Sequence, residues 1–343
     1  MDDWYLDHLV CPRDATRLSE NAIGLACRRV HTYPVVDGMP VMLLDDVPQT
    51  QSVAERSLED AVKKADASGL YLNTVGISDA ERRGVLALLD NKSSAVDPVV
   101  AFLVSATNGV MYKHVIGKLP RYPIPDFPLS GDGGCLLDIG CNWGRWSISA
   151  AKQGWNVVAI DPSLGAVLAA RRVARSMHLP IRYVVGDARY LPFEGATFDA
   201  VFSYGVLQHL SHQNAQTAVD EISRVLKPLG LCLVQMPNMF GLRSIYQQAR
   251  RGFRPAIEFE VRYWPIKRLR RLFSTAVGST HISVDCFGGL GIQKADWDLM
   301  TFGRRLVIAG SESARFISRL IPLLLYIADS VYVRSTRSAS GGL

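Results

Sequence analysis

The stretch at residues 135–146 constrains the fold of this chain more than any other. It begins with the apolar run Cys-Leu-Leu-Asp-Ile, passes through a turn that contains Gly140 and Gly144, and leads into a segment of helical composition. A short apolar run that feeds a tight turn and then a helix start is typical of a buried parallel strand. The two glycines let the backbone turn sharply and approach a ligand, and the amides of the turn then point at that ligand.

The same arrangement of apolar run and turn recurs farther along the chain. Asp161 ends the second run, Gly186-Asp187-Ala188 follows the third, and the fourth leads to Tyr204 and His209. An acid at the end of the second strand can accept both hydroxyls of a ribose. A glycine turn alone also occurs in dinucleotide-binding folds, so the ordered series is more specific than any single motif. The further runs are residues 156–161, 181–185 and 198–204.

With these motifs in this order, the sequence resembles the class I S-adenosylmethionine-dependent methyltransferases over roughly residues 110–310. The resemblance implies an α/β fold with a doubly wound, mostly parallel, seven-stranded Rossmann-like sheet. Independently of this resemblance, the alternation of apolar runs and helical segments predicts a mostly parallel sheet with helices on both faces. The matching motifs are Asp138-x-Gly140-x-x-x-Gly144, Asp161, Gly186-Asp187-Ala188, Phe198-Asp199 and Leu207-x-His209.

The resemblance also implies S-adenosyl-L-methionine as the cofactor and suggests its contacts. Asp138 and the backbone around Gly140 suit the ammonium group, Asp161 suits the ribose, and Asp187 with the Ala188 amide suits the adenine. The alternative for Asp138 and Asp161 is a capping carboxylate at a helix start. The expected cofactor-binding residues are Asp138, Gly140, Cys141, Asn142, Gly144, Asp161, Pro162, Asp187, Ala188 and Ser203.

Catalytic residues are expected after the fourth strand, at the carboxyl edge where open parallel sheets bind ligands. His209 is the candidate base that removes a proton from an oxygen acceptor, and Tyr204 stands beside it. The alternative is that His209 hydrogen-bonds the helix or loop behind it. Because the sulfonium of the cofactor is already activated, such an enzyme mainly aligns the reactants and excludes water.

Residues 1–45 are expected to form a small β-rich module of their own. Short apolar runs separated by proline and Asp-Gly predict small strands joined by turns. Cys11-Pro12, Cys27 and the run Tyr-Pro-Val-Val-Asp-Gly-Met-Pro-Val at 33–41 resemble a zinc-ribbon-like family. That family acts as the activating partner of several methyltransferases of the translation apparatus.

The module departs from the Cys-x-x-Cys pairs of that family, because Asp14 and Val30 stand where the second cysteines are expected. One interpretation is a mixed site of Cys11, Asp14, Cys27 and His31, since zinc accepts sulfur, nitrogen and oxygen ligands. The other is a metal-free fold in which the cysteines pack as small apolar residues. We expect the metal-free fold, because aspartate is an uncommon ligand in structural zinc sites.

The rest of the chain is expected to divide into a helical linker region at 46–110, a methyltransferase domain at 111–311, and an amphipathic helix with a flexible tail at 312–343. An insertion at 240–275 is expected to shape the acceptor pocket. The proline-rich segment 121–129 either covers the cofactor or is a plain connector. The predicted helices are 53–66, 79–91, 98–119, 145–153, 164–177 and 213–227, and the last strands are 230–238, 281–287 and 304–309.

Charge and cysteine usage bear on partners and location. The formal net charge is +6, and basic clusters at 243–254 and 262–271 suit nucleic acid, anionic lipid or a phosphorylated substrate, unless they form a solvated helix face. Six dispersed cysteines and an acidic N-terminus predict a cytoplasmic protein with reduced thiols. The apolar run at 320–328, preceded by Arg315 and Arg319, is too short to span a bilayer. We expect a helix packed on the domain, and the alternative is an interfacial helix in peripheral contact with the inner membrane.

These patterns predict O-methylation of a small molecule, glycan or secondary metabolite. The Asn/Asp-Pro-Pro-Tyr signature of nitrogen-methylating enzymes is absent after the fourth strand, where Ser203-Tyr204-Gly205-Val206 stands. An RNA or translation-factor methyltransferase is the second hypothesis, suggested by the N-terminal module and the basic clusters, although nucleic acid is not favoured. A cofactor-binding scaffold without catalysis is the third, because binding residues alone do not prove turnover.

Overall fold

A computed structural model describes residues 1–22, 24–63, 69–91, 94–288 and 293–339. The main sheet has seven strands in the order β10-β11-β9-β8-β5-β6-β7, in which β5 to β9 are parallel and β11 is antiparallel to both of its neighbours. The predicted fold class is therefore confirmed. The strands of this sheet are β5 (Cys135–Ile139), β6 (Asn156–Asp161), β7 (Arg182–Val185), β8 (Phe198–Ser203), β9 (Leu226–Pro237), β10 (Gly278–Cys286) and β11 (Ser330–Arg337).

Helices cover both faces of this sheet, and several begin at side-chain caps. The Asp97 carboxylate accepts hydrogen bonds from the Val99 and Val100 amides, as the sequence predicts, and the Ser163 hydroxyl accepts one from Ala166. The helices are α1 (Asp3–His8), α2 (Ser52–Lys63), α3 (Asp79–Asn91), α4 (Pro98–Asn108), α5 (Arg145–Lys152), α6 (Leu164–Ser176), α7 (His212–Val225), α8 (Leu242–Arg250), α9 (Ile266–Ala276) and α10 (Phe302–Ser318). Among the described helices, none is long and apolar enough to cross a membrane.

The prediction for the C-terminal part of the chain is wrong in two places. Residues 304–309 were expected to be a strand but lie inside α10, because a short apolar run fits helix and strand equally well. The expected flexible tail from residue 334 instead contributes to β11, which lies between β9 and β10. Its polar side chains are held by sheet pairing, and Ser335 is buried. Residues 340–343 lie outside the described part of the chain.

The N-terminal residues form the expected β-rich unit, a four-stranded antiparallel sheet. Its core is continuous with that of the main sheet, since Tyr5 and Leu9 pack in one cluster with Val184 and Phe193. The chain then extends the main sheet at its β7 edge, where the Met42 amide donates to the Val185 carbonyl at 2.7 Å. The strands of the unit are β1 (Leu18–Glu20), β2 (Gly24–Cys27), β3 (Thr32–Val36) and β4 (Met39–Pro40).

The region at 46–110 contains three helices close to the predicted positions, but it is not a linker. The helix expected at 98–119 ends at Asn108, near the break expected at 107–109, and residues 64–66 of the first predicted helix lie outside the described part of the chain. Val99 and Val100 of α4 are fully buried with Ile148 of α5 and Val173 of α6. The Ser57 hydroxyl of α2 accepts the Leu164 amide at 3.0 Å. These helices therefore complete the core beside the main sheet, a role that depends on packing between segments far apart in the chain.

Candidate functional site

A cavity of about 1150 Å³ opens at the carboxyl ends of the parallel strands. Pockets for single small ligands usually measure roughly 300–1,000 Å³, so this cavity has room for more than one small molecule. Eight of the predicted site residues line it. They are Gly140, Asn142, Asp161, Pro162, Asp187, Ala188, Tyr204 and His209.

The turn after β5 forms the floor of the cavity, and its shape depends on glycine. Gly140 has φ +78°, and a Cβ atom there would lie 2.1 Å from Cγ2 of Val206. Gly144 has φ +82°, and its Cβ would lie 3.1 Å from the Cβ of Ala170. Both positions therefore combine left-handed backbone with close packing, conditions that favour glycine.

Two buried carboxylates lie around this turn. Asp161 faces the cavity, and its oxygens accept the Ser163 and Asn142 amides at 2.9 and 3.0 Å; burial raises its pKa to about 6. Asp138 lies behind the cavity wall, where it accepts the Ser147 hydroxyl at 2.5 Å and burial raises its pKa to about 7. Asp138 therefore supports the turn from below.

Three further expected cofactor residues also lie outside the cavity lining among the described residues. Gly144 packs against α6, Cys141 is buried, and the Ser203 hydroxyl donates to the Ile139 carbonyl at 3.1 Å. All three hold the strand ends and the turn in place. The sequence motif therefore marks both the residues that face a ligand and those that shape the backbone behind them.

Asp187 is held by a residue that the sequence analysis missed. Arg189 pairs with the Asp187 carboxylate at 2.6 Å, and its amide donates to the same side chain at 2.8 Å. The Arg189 guanidinium also donates to the Pro48 carbonyl at 2.9 Å. Since Arg189 is buried, it ties the Asp187 carboxylate to the N-terminal part of the chain. In the sequence, the only indication of this role was that Arg189 stands two residues after Asp187.

The cavity wall next to Asp187 comes from residues 49–55, which the sequence assigns to the linker region. The segment 121–129, which was expected to cover the cofactor, lies elsewhere. Phe127 packs on Phe202 with ring centroids 4.9 Å apart, and the Pro125 carbonyl accepts the Ser149 hydroxyl at 2.5 Å. Among the described residues, none of this segment lines the cavity. Its prolines and aromatics cover α5 instead.

His209 is tied to the insertion. Its Nδ1 bonds the Phe259 carbonyl at 2.7 Å, and its ring stacks on Phe259 with centroids 3.8 Å apart. With Nδ1–H as the donor, Nε2 is the acceptor that faces the Gln208 amide nitrogen at 3.1 Å. Burial lowers the pKa of His209 to about 4. The imidazole is therefore neutral at pH 7. It holds the loop around Phe259 by a hydrogen bond, which is the alternative to a role as the base.

Tyr204 lines the cavity at the head of a buried polar chain. Its hydroxyl donates to Oδ2 of Asp285 at 3.0 Å, and the Ser330 hydroxyl donates to the same oxygen at 2.7 Å. Gln235 continues the chain, since its amide donates to the Ser330 oxygen at 2.6 Å and its Oε1 accepts the Gly205 amide at 2.8 Å. Burial raises the pKa of Asp285. The sequence analysis missed Asp285, because an acid within an edge strand gives no motif.

The insertion supplies the wall opposite the glycine turn. Arg243, Phe259 and Tyr263 line the cavity, whereas Trp264 is 2 % exposed in the core and Phe253 is 67 % exposed to solvent. The insertion therefore divides its aromatic residues between cavity, core and surface. The sequence alone does not show which aromatic residue takes which of these positions.

Much of the basic cluster within the insertion is used internally. Arg254 pairs with Glu260 at 2.6 Å, and Arg262 donates to the His209 carbonyl at 2.8 Å. Arg251 donates to the Val261 carbonyl at 2.9 Å. By contrast, Arg243 makes no side-chain hydrogen bond or ion pair within the described part of the chain, and it faces the cavity. Arg243 is thus a cation available to a ligand.

Far from this cavity, four side chains of the N-terminal unit converge. One ligand atom each from Cys11, Asp14, Cys27 and His31 lies within 4.8 Å of all the others. The sequence analysis considered this set and expected it to be metal-free. In the sequence, two cysteines that each lack the usual second cysteine gave only weak support for a metal site. The folded turns are what bring the four side chains together.

Comparison with known proteins identifies the central part of the chain. Residues 136–230 match the family described as a methyltransferase domain. A demethylmenaquinone methyltransferase of Streptomyces avermitilis is 34% identical over 117 residues, which are 33% of this chain and 48% of that protein. A ubiquinone biosynthesis O-methyltransferase of Methylocella silvestris is 34% identical over 122 residues, which are 35% of this chain and 47% of that protein.

Among solved structures, a phosphoethanolamine N-methyltransferase 2 of Haemonchus contortus is similar with a TM-score of 0.44 and 20% identity, over 62% of this chain and 50% of that chain. The chain spans less than half the length of the two relatives named above. The comparisons do not support the assignment of residues 1–45 to the zinc-ribbon-like family.

The matched segment contains every expected cofactor residue from Asp138 to Ser203. The family that it matches depends on S-adenosylmethionine, so the expected cofactor is confirmed. Residues 136–230 of this chain therefore match a methyltransferase-domain family that depends on S-adenosylmethionine.

Proposed function

We propose that the chain transfers a methyl group from S-adenosylmethionine to an oxygen atom of a small molecule, glycan or secondary metabolite. One observation carries the proposal. Gly140 and Asp161 on the cofactor side and Arg243 and Tyr263 of the insertion line one cavity of about 1150 Å³. A single cavity with two differently built walls can hold donor and acceptor against each other, which a transfer between two molecules requires.

The cofactor wall fits S-adenosylmethionine, which supplies a methyl group on an activated, positively charged sulfur when bound. Each oxygen of Asp161 accepts one backbone amide, at 2.9 and 3.0 Å, which leaves lone pairs for ribose hydroxyls. Arg189 fixes the Asp187 carboxylate at 2.6 Å beside Ala188, where both residues edge the cavity. The alternative role of Asp161 as a helix cap has less support, because Ser163 caps α6.

The acceptor wall combines aromatic surface with one available cation. Phe259 and Tyr263 provide flat apolar faces, and Arg243 is free to pair with a carboxylate or phosphate. The RNA hypothesis loses support, since Arg251, Arg254 and Arg262 are bound within the insertion. We therefore favour a small acceptor that carries an anionic group.

Tyr204 and Asp285 form the proposed route for the acceptor proton. The acceptor hydroxyl gives its proton to the Tyr204 oxygen while Tyr204 gives its own to Oδ2 of Asp285, 3.0 Å away. Burial raises the pKa of Asp285, which suits a group that takes up a proton. His209, whose pKa is about 4, is a weak base and positions Phe259 instead.

The test is incubation of the purified chain with labelled S-adenosylmethionine and fractionated cell extract. We expect label in a small-molecule or glycan fraction, and loss of this label with Asp161→Ala. The exposed Asp132→Ala is the matched control and should behave as wild type. Label in RNA with steep salt dependence would establish the second hypothesis instead. Cofactor binding without transfer to any fraction would establish a scaffold.

A further inference from the structure

We propose that Cys11, Asp14, Cys27 and His31 bind one thiophilic divalent cation of the zinc type. Three of their ligand atoms lie at short distances from Nδ1 of His31: Sγ of Cys11 at 3.4 Å, Sγ of Cys27 at 3.4 Å and Oδ2 of Asp14 at 3.5 Å. Sγ of Cys27 lies 3.8 Å from Oδ2 of Asp14. Tetrahedral zinc with ordinary bond lengths requires ligand atoms about 3.3–3.8 Å apart. These four distances fall in that range, and the remaining pairs of ligand atoms lie within 4.8 Å.

Two turns present these ligands in pairs. Cys11 and Asp14 flank a turn in which the Ala15 amide donates to the Cys11 carbonyl at 2.8 Å. Cys27 and His31 flank the turn between β2 and β3, where the Val30 amide donates to the Cys27 carbonyl at 3.0 Å.

The backbone of the second turn is an independent observation. Val30 has φ +68°, a conformation that is rare for a β-branched residue, although its side chain is 81 % exposed. Packing of Val30 does not explain this conformation. This conformation is explained by the need to bring His31 next to Cys27, since a strained backbone persists where the surrounding structure fixes it.

Polar and charged groups around the four ligands fit a site that carries a net charge. The Thr16 amide and hydroxyl donate to Oδ1 of Asp14 at 3.0 and 2.6 Å, which leaves Oδ2 to face the sulfur and nitrogen atoms. Arg29 approaches Oδ2 at 3.8 Å. Two thiolates and a carboxylate around a divalent cation carry a net charge of −1, which this arginine offsets.

The site is connected to the cofactor wall. Arg13, between the ligands Cys11 and Asp14, forms ion pairs with Asp45 and Asp46. The chain then runs into residues 49–55, which line the cavity beside Asp187. We infer that the metal fixes this segment, so that its loss weakens cofactor binding at a distance. This coupling rests on the proposed function, whereas the metal site itself does not.

The experiment compares wild type, Cys27→Ser, Asp14→Ala and the control Cys135→Ser, each purified with zinc in the medium. Elemental analysis should find one ion per chain in wild type and Cys135→Ser, and much less in the other two. Wild type reconstituted with cobalt should show a thiolate-to-metal charge-transfer band, a readout that does not depend on the variants folding. Absence of the band and of stoichiometric metal in wild type overturns the site.

Cofactor affinity, measured by calorimetry, should fall about tenfold when wild type is stripped of metal and recover when zinc is restored. Unchanged affinity in protein that has lost its metal overturns the coupling. If wild type binds metal but no S-adenosylmethionine, the proposed function has failed while the metal site stands.

An exposed apolar face supports a second inference, that the chain docks on an anionic membrane surface. The face is made of Leu242, Tyr246, Phe316, Leu320, Leu323 and Tyr326, each more than half exposed. α8 and the turn at 322–327 are joined, because the Asn238 amide donates to the Tyr326 carbonyl at 2.8 Å and the Asp329 carboxylate accepts the Arg243 amide at 2.6 Å. Isolated exposed apolar side chains are common, but six of them on α8 and on the stretch from the end of α10 to the turn at 322–327 indicate an interaction site.

Positively charged residues near this apolar face favour an anionic lipid surface as its partner. Arg250 at the end of α8 and Arg319 directly after α10 are exposed. Apolar side chains among arginines suit the interface of anionic lipids, where the apolar groups enter the acyl boundary and the arginines pair with headgroups. α8 also lines the cavity through Arg243 and Gln247, so a docked face places the acceptor wall next to the lipid.

Sedimentation with vesicles tests this inference. Wild type should bind phosphatidylglycerol-containing vesicles and bind pure phosphatidylcholine much less, with binding weakened by salt. Leu320→Glu with Leu323→Glu should reduce binding at least about tenfold, whereas the equally exposed Leu229→Glu should not. Equal binding by the double variant, or a solution dimer that the same substitutions dissociate, overturns membrane docking.

Discussion

The two walls of the cavity are built by different means. The cofactor wall consists of turns and carboxylates at the ends of neighbouring parallel strands, such as Gly140 and Asp161, and backbone geometry fixes it. The acceptor wall consists of side chains such as Tyr204, Arg243 and Tyr263, which come from a strand end and an insertion. The difference teaches that the first wall cannot change without disturbing the fold, whereas parts of the second can.

The strongest expected effect is that of Gly140→Val on the cofactor wall. The new Cβ would lie 2.1 Å from Val206, in a backbone conformation that valine rarely adopts. We expect loss of measurable cofactor binding by calorimetry. Gly133→Val, at φ +90° with nothing within 4 Å, isolates the backbone strain of roughly 1–3 kcal/mol and should retain cofactor binding. Full affinity in Gly140→Val would show that the wall tolerates backbone change.

Trp264→Ala tests whether every part of the insertion belongs to the acceptor wall. Trp264 is 2 % exposed in the core, so its truncation should destabilise the chain by about 3–5 kcal/mol in denaturant unfolding. Phe253→Ala, which removes an aromatic side chain that is 67 % exposed, should change stability by less than about 0.5 kcal/mol. A stable Trp264→Ala with a raised acceptor KM would assign this residue to the acceptor site instead.

Asp138→Asn tests the burial of charge beneath the cofactor wall. The pKa of Asp138 is about 7 in the fold against a usual value of 3.8, so binding of a proton by Asp138 favours the folded state. This contribution to stability is fully present below about pH 4 and is lost as the pH rises through 7. The Asn variant does not titrate. Its stability relative to wild type should therefore rise from pH 5 to pH 8, by about 2–4 kcal/mol in free energy of unfolding. A difference independent of pH, as expected for Asp132→Asn, would contradict this.

The smallest expected effect is that of Arg243→Ala on the acceptor wall. Removal of this cavity-lining cation should raise the KM for an anionic acceptor about tenfold, or 1.4 kcal/mol, with unchanged cofactor affinity and stability. Arg250→Ala on the same helix, outside the cavity lining, should leave both kinetic constants unchanged. A loss of cofactor affinity in Arg243→Ala would show that the two walls are coupled.

The sequence predicts the parallel strands and their turns well because their signals are local. Apolar runs, positive-φ glycines and strand-end acids lie within a few residues of one another, and all of them fall where the four motifs place them. The prediction fails for residues 304–309 and for β11, where pairing with a distant strand decides between helix, strand and coil. It also misses Arg189 and Asp285, whose roles depend on partners brought close by folding.

By itself, the sequence determined the α/β architecture and the turns at the ends of the parallel strands, because periodicity and turn chemistry act over short distances. Tertiary structure alone decided that residues 49–55 replace 121–129 at the cavity, and that Trp264 enters the core while Tyr263 faces the cavity. It also decided that Cys11, Asp14, Cys27 and His31 meet. These outcomes follow from packing between segments far apart in the chain, and no local pattern of residues encodes such distances.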